Sequence, residues 1–225
     1  DRDRPLDVYV PNGRTQRAAE MIEGAYRWPS YTVNVRGYGA AEPAVQTDEY
    51  TIRAVTTPYT EHSHGLVVEE AERREFLPEK ARALGLDPGP EYGTLQNGRA
   101  VETDDGRTIE PDEVRSAPAP GRKLVYTSDT RPTADIVDAA TGSSLLIYSA
   151  MFTDDQADRA RTTGHSTATD AAQVATEAAS QRLWLTHISP RHEGDERALE
   201  AEARAVFDGD VAAVRDGDTI EITRE

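Results

Sequence analysis

The nearly continuous apolar run Ser144-Leu145-Leu146-Ile147-Tyr148 constrains this chain more than any other stretch. A strand with one solvated side alternates apolar and polar residues, whereas an unbroken apolar run belongs to a central strand covered on both faces. Covering both faces calls for helices, and the sequence supplies them. Ala134 to Ala140 reads as a short helix, and Ala168 to Ala179 as the clearest helix, with Ser166 or Thr167 as its N-cap. Lys123-Leu124-Val125 and Leu183-Trp184-Leu185-Thr186 read as further apolar strands. Leu199 to Phe207 reads as an amphipathic helix, and Asp218-Thr219-Ile220-Glu221-Ile222 as a closing strand. Strands and helices alternate, so the class is α/β, with helices packed on a sheet.

The first half is less regular. Leu6 to Val10 reads as a short strand ending at the turn Pro11-Asn12-Gly13. A helix over Thr15 to Ala25 follows, then strands at Thr32 to Val35, Tyr50 to Val55 and Leu66 to Val68. Glu69 to Glu75 is a charge run of the kind that forms a solvated surface. From Pro78 to Gly121 the chain is punctuated by Pro88-Gly89-Pro90, Asn97-Gly98, Asp105-Gly106 and Pro120-Gly121, with only brief apolar runs. It has little to bury, so it is expected to be an arm or loop that leaves the body rather than part of the core. Asp154 to Arg161 reads as a polar, mobile segment.

Composition narrows the chemistry. The 225 residues include no cysteine, so a metal could be held only by His and carboxylate. No stretch approaches the roughly 18 apolar residues of a membrane span, and no signal-peptide pattern opens the chain, which leads us to expect a cytoplasmic protein. Net charge is −16, and only Lys80 and Lys123 are lysines among 25 basic residues. Such a surface suits high salt, where a carboxylate layer keeps a protein hydrated. It also leaves no basic field to capture nucleic acid at long range. In about 1 M salt a field would be screened within roughly 3 Å in any case.

Asp129 follows the strand Lys123 to Val125 in Tyr126-Thr127-Ser128-Asp129-Thr130-Arg131-Pro132, where the chain turns toward a helix. A lone Asp before a helix is most often a cap. Two other stretches change the weighing: Leu183 to Arg191 is an apolar strand ending at His187, and Tyr59-Thr60-Glu61-His62-Ser63-His64-Gly65 sets two His at another apolar boundary. His165 stands at the mouth of a helix, and His192 follows the Ser-Pro-Arg turn. One such His is more often structural than a ligand. Several of them around an Asp, with no Cys, point to a His/carboxylate site. An open zinc site takes three protein ligands plus water, and two ions about 3.5–4 Å apart need a bridging carboxylate. Asp129 is the candidate bridge.

The blocks from Phe76 to Gly85 and from Pro88 to Leu95, then Gly121-Arg122-Lys123-Leu124-Val125-Tyr126, Asp129-Thr130-Arg131-Pro132, Gly164-His165-Ser166-Thr167 and Leu185-Thr186-His187-Ile188-Ser189, together resemble ribonuclease Z (tRNase Z) of haloarchaeal type. The resemblance implies a metallo-β-lactamase-like αβ/βα sandwich over residues 1–225 that lacks its N-terminal strands, with an arm inserted at about 69–120. It further implies a zinc-dependent endonuclease that removes the 3′ trailer from precursor tRNA and works as a homodimer. On the same ground, Asp129 bridges two zinc ions, His62 ligates one and His187 the other, and His165 protonates the leaving oxygen. Pro88, Gly89 and Pro90 correspond to the part of the arm that grips tRNA.

The sequence departs from that family's pattern. His-x-His-x-Asp-His, which supplies three His ligands and the Asp that activates water, is absent from it, Ser128 stands where a Gly precedes the bridging Asp, and Tyr148-Ser149 stand where His-Glu is usual. The segment after His62 is short, which leaves His64 as the alternative ligand. The expectation is therefore either a piece of such an enzyme or a non-catalytic relative that binds tRNA or a protein partner. Taken alone, the chain is expected neither to hold two zinc ions tightly nor to cleave.

Overall fold

Strands form where the apolar runs fall. The computed structural model describes residues 2–25, 30–103, 105–192, 194 and 196–223. Its first elements are β1 (Leu6–Pro11), α1 (Thr15–Glu23), β2 (Val33–Tyr38), β3 (Val45–Gln46), β4 (Tyr50–Thr56) and β5 (His64–Glu70). Then come α2 (Pro78–Ala83), α3 (Pro90–Gln96), β6 (Val101–Glu102) and β7 (Thr108–Ile109). The last part holds β8 (Lys123–Tyr126), α4 (Ala134–Ala140), β9 (Leu145–Ser149), α5 (Ala157–Thr163), α6 (Ala168–Glu177), β10 (Arg182–Thr186), α7 (Glu196–Arg204) and β11 (Asp210–Ala213).

Contacts divide the chain into two units, Asp1–Glu70 with Arg122–Glu225, and Ala71–Gly121. In the first, a seven-stranded sheet runs β11-β10-β9-β8-β5-β4-β3. β8 to β11 pair in parallel, while β3, β4, β5 and β8 pair antiparallel. The apolar run becomes β9, where Leu146 faces Val125 of β8 and Leu183 of β10, all three fully buried. The strand is central because its neighbours are apolar too. The core joins these strands to Ile136, Ala139 and Ala140 of α4, to Ala171, Ala172 and Ala175 of α6, and to Leu199 and Ala203 of α7. Alanine at the contact positions lets the helix backbones approach the sheet closely. β1 and β2 form a separate parallel pair.

Three expectations need correction. Asp218 to Ile222 forms no strand, and the last strand is β11, where Val211 is buried against β10 while Ile220 stays exposed. Thr-Ile-Glu-Ile alternates like a strand, but among the described residues no strand pairs with it. Asp154 to Arg161 is a 3-10 turn (Asp154–Gln156) running into α5, anchored by the fully buried Ala160.

The third concerns only the expectation that the punctuated stretch has little to bury. Residues 71–121 have their own small core, made of Ala81, Leu86, Leu95, Val101, Ile109 and Val114. The two ends of this unit pair with each other, Arg73 N–H donating to Ala119 O at 2.9 Å and Ala119 N–H donating back at 2.8 Å. Arg115 Nη2 donates to Leu95 O and Gln96 O at 3.1 and 2.7 Å, and Lys80 Nζ donates to Arg115 O at 3.0 Å. Each apolar run is brief, yet they interdigitate, a long-range property that local composition does not show.

Candidate metal centre

In the parallel half of the sheet β8, β9 and β10 end on one edge, the edge at which open α/β sheets place their ligands. The chain leaves β8 through Thr127 and Ser128, and Ser128 adopts φ 57. That left-handed turn costs an L-residue about 1–2 kcal/mol and redirects the backbone sharply. Asp129 follows. The cap of α4 is Thr133, whose side chain accepts from Ile136 N–H, so Asp129 is not spent as that helix's cap. β10 ends at Thr186, and His187 again has φ 56. Non-glycine residues held in this region gather at functional sites.

These two turns bring Asp129 Oδ1 to 3.1 Å from His187 Nδ1. Ser149 Oγ, at the end of β9, lies 3.1 Å from the same nitrogen. Ser, His and Asp therefore meet here but do not form a nucleophilic triad, which needs the hydroxyl and the carboxylate on opposite ring nitrogens. Among the described residues, ligand atoms of Asp129, His165 and His187 all lie within 4.8 Å of one another.

His165 enters from the helix side. Thr167 caps α6 in a reciprocal capping box with Asp170, which fixes the backbone just after the His. Ser166 Oγ donates to Thr130 O at 2.8 Å, tying the residue after His165 to the residue after Asp129, and the Tyr148 hydroxyl stands 3.4 Å from Ser166 Oγ. The His165 ring lies 5.1 Å from that of His187 and 5.0 Å from that of Tyr59. It is 8% exposed, and its Nδ1 is buried without a hydrogen-bond partner. Burial pushes its pKa below the ordinary 6.5, the neighbouring His187 adds to this, and Asp129 opposes it. Burial likewise pushes the Tyr148 phenol far up, so it stays protonated.

One carboxylate and one imidazole, from Asp129 and His187, suit a zinc-like ion whose remaining positions water would fill, with His165 beside them. Holding a metal would require His187 Nδ1 and the Asp129 carboxylate to be free of a proton between them. No second such group exists among the described residues, so the donor set fits one ion and not two.

His62 lies outside this group. It sits in the turn between β4 and β5, with its Cε1 3.9 Å from where a Cβ on Gly13 would stand. His64 begins β5 beside the Tyr38 ring, 5.7 Å away, with its own Nδ1 buried and unpartnered. His192 Nε2 is 3.2 Å from Gln156 Nε2. Gly89 and Pro90 open α3 in the 71–121 unit, with Pro88 just before them. Sequence reasoning gave no site role to Tyr59, or to Ser149, which it named only as a departure from the family pattern, although Ser149 ends the most apolar strand.

Ribonuclease Z of Natronomonas pharaonis is 44% identical over 223 residues, covering 99% of this chain and 72% of that protein. The ribonuclease Z of Halorubrum lacusprofundi is 40% identical over the same shares, and that of Myxococcus xanthus is 36% identical over 98% of this chain and 72% of its own length. Among solved structures, the short form of human tRNase Z superposes with a TM-score of 0.61 at 18% identity, over 98% of this chain and 69% of that one. The metallo-beta-lactamase fold protein YhfI of Bacillus subtilis gives 0.61 at 18%, over 95% and 64%. No family model matches the chain. These likenesses establish a metallo-β-lactamase fold for an α/β chain with a central sheet.

Proposed function

The chain belongs to the ribonuclease Z family, and from that premise we propose that it acts in tRNA 3′-end processing, in the endonucleolytic removal of the 3′ trailer from precursor tRNA. The observation that carries this reading is the convergence of Asp129, His165 and His187 at the ends of the parallel strands, the residues the resemblance assigns to metal binding and proton transfer. Asp129 and His187 would hold zinc, the ion the family resemblance implies, which supplies a Lewis acid and a water of lowered pKa. His165 is the proposed proton donor to the leaving ribose oxygen. Burial lowers its pKa in the free protein, and the negative charge of an approaching phosphodiester would favour its protonated form. Donation is thereby tied to the presence of substrate.

The 71–121 unit, through Pro88, Gly89 and Pro90, is proposed to grip the tRNA, in a cytoplasmic homodimer. No described helix is long and apolar enough to cross a membrane. A second reading, a non-catalytic relative that binds tRNA or a protein partner, draws on Tyr148-Ser149 and on a donor set that fits a single ion.

The test is a precursor-tRNA cleavage assay with the 225-residue chain, with and without an added polypeptide carrying His-x-His-x-Asp-His. The proposal expects no cleavage by the chain alone and cleavage at the 3′ junction on complementation, abolished by Asp129→Asn. Binding without cleavage under both conditions would support the second reading. Robust cleavage by the chain alone would mean that other residues supply the missing ligands.

A further inference from the structure

We propose that Tyr59 is the stacking platform of a nucleobase subsite beside His165, taking one unstacked base of the RNA next to the phosphodiester that the cluster faces; this rests on the RNA-cleaving reading above. Tyr59 is 42% exposed, while Tyr148 and Phe152 of the same unit are buried, at 0% and 1% exposure. Of the exposed large apolar residues described, Met21, Tyr59, Tyr126, Val206 and Ile220, only Tyr59 makes a ring contact with the cluster.

One side of its ring is already fixed. It rests 5.0 Å from the His165 ring at 40°, and its Cδ2 lies 3.5 Å from where a Cβ on Gly164 would stand. Gly164 has φ +78, which favours glycine there. The residue as a whole nevertheless stays 42% exposed.

The loop is stiff as well. Pro58 restricts the backbone before Tyr59, and Thr57 N–H donates to Ser63 O at 3.2 Å while Ser63 N–H donates to Thr60 O at 3.1 Å. The Thr60 and Ser63 hydroxyls share a hydrogen bond of 2.8 Å. An aromatic ring held this way loses little freedom when a base stacks on it.

The charge balance favours this mode of contact. A chain of net charge −16 holds RNA weakly through phosphates, whereas stacking needs no charge and every base has a π-face. A base on Tyr59 would place its own backbone beside His165, the proposed proton donor.

The test uses single-stranded oligoribonucleotides carrying 2-aminopurine, whose fluorescence is quenched on stacking, and precursor tRNA, with wild type, Tyr59→Phe and Tyr59→Leu in molar salt. Wild type and the Phe variant should quench the probe equally, and the Leu variant should lose quenching and on the order of tenfold in affinity. Leu keeps an apolar cover over His165, so a merely shielding role would leave it like wild type, and that result overturns the inference. Precursor tRNA bound equally by wild type and the Leu variant, with no quenching in either, overturns this inference alone. Wild type binding neither RNA overturns it together with the reading it rests on.

Discussion

His187 and Asp129 meet over a strand that separates their own: Nδ1 lies 3.1 Å from Oδ1, although β9 stands between β8 and β10. Both approaches use a left-handed backbone residue, Ser128 at φ 57 and His187 itself at φ 56. The strain is held by rigid surroundings, since Thr127 and Thr130 are fully buried and Ser189 is 1% exposed.

Ser128→Gly should relieve part of that strain. Glycine adopts positive φ without a Cβ clash, so stability should rise by about 1 kcal/mol. Denaturant titration in molar salt checks this as a higher midpoint at unchanged slope. A lower midpoint would show that the Ser128 side chain contributes more than its backbone costs.

Acidification should destabilise the fold through His165. Its folded pKa lies below the ordinary 6.5, so between the two values the unfolded chain binds more protons. The contribution is therefore complete above about pH 6.5 and is lost as pH falls through the folded value. His165→Gln should flatten this part of the stability-pH curve. An equally steep loss in the variant would assign the effect to another group.

The two cores should respond separately. Leu146→Ala in β9 should cost about 2–5 kcal/mol of stability, because its neighbours on β8 and β10 leave little room to collapse. Leu95→Ala should instead speed amide exchange within residues 71–121 and leave β9 and β10 protected. Loss of protection in both units from either change would show that they unfold as one.

The strands and helices were legible wherever burial is continuous, as in β9, or where a cap and an alanine face coincide, as in α6. The strand β11 was not, because Val211 and its neighbours form too short a run to stand out before a partner is known. The core of residues 71–121 was hidden for the same reason. Asp129, His165 and His187 could be named in advance because each closes or opens an apolar element. The place of His62 depends on a turn whose direction spacing does not encode.

The most direct test of the site is zinc titration of the chelator-treated chain, comparing wild type with Asp129→Asn, His187→Gln and His62→Gln. The account expects no more than one zinc per wild-type chain, lost in Asp129→Asn and His187→Gln and unchanged in His62→Gln. Two tightly held ions in the wild type, or a single ion that survives Asp129→Asn but not His62→Gln, would contradict it.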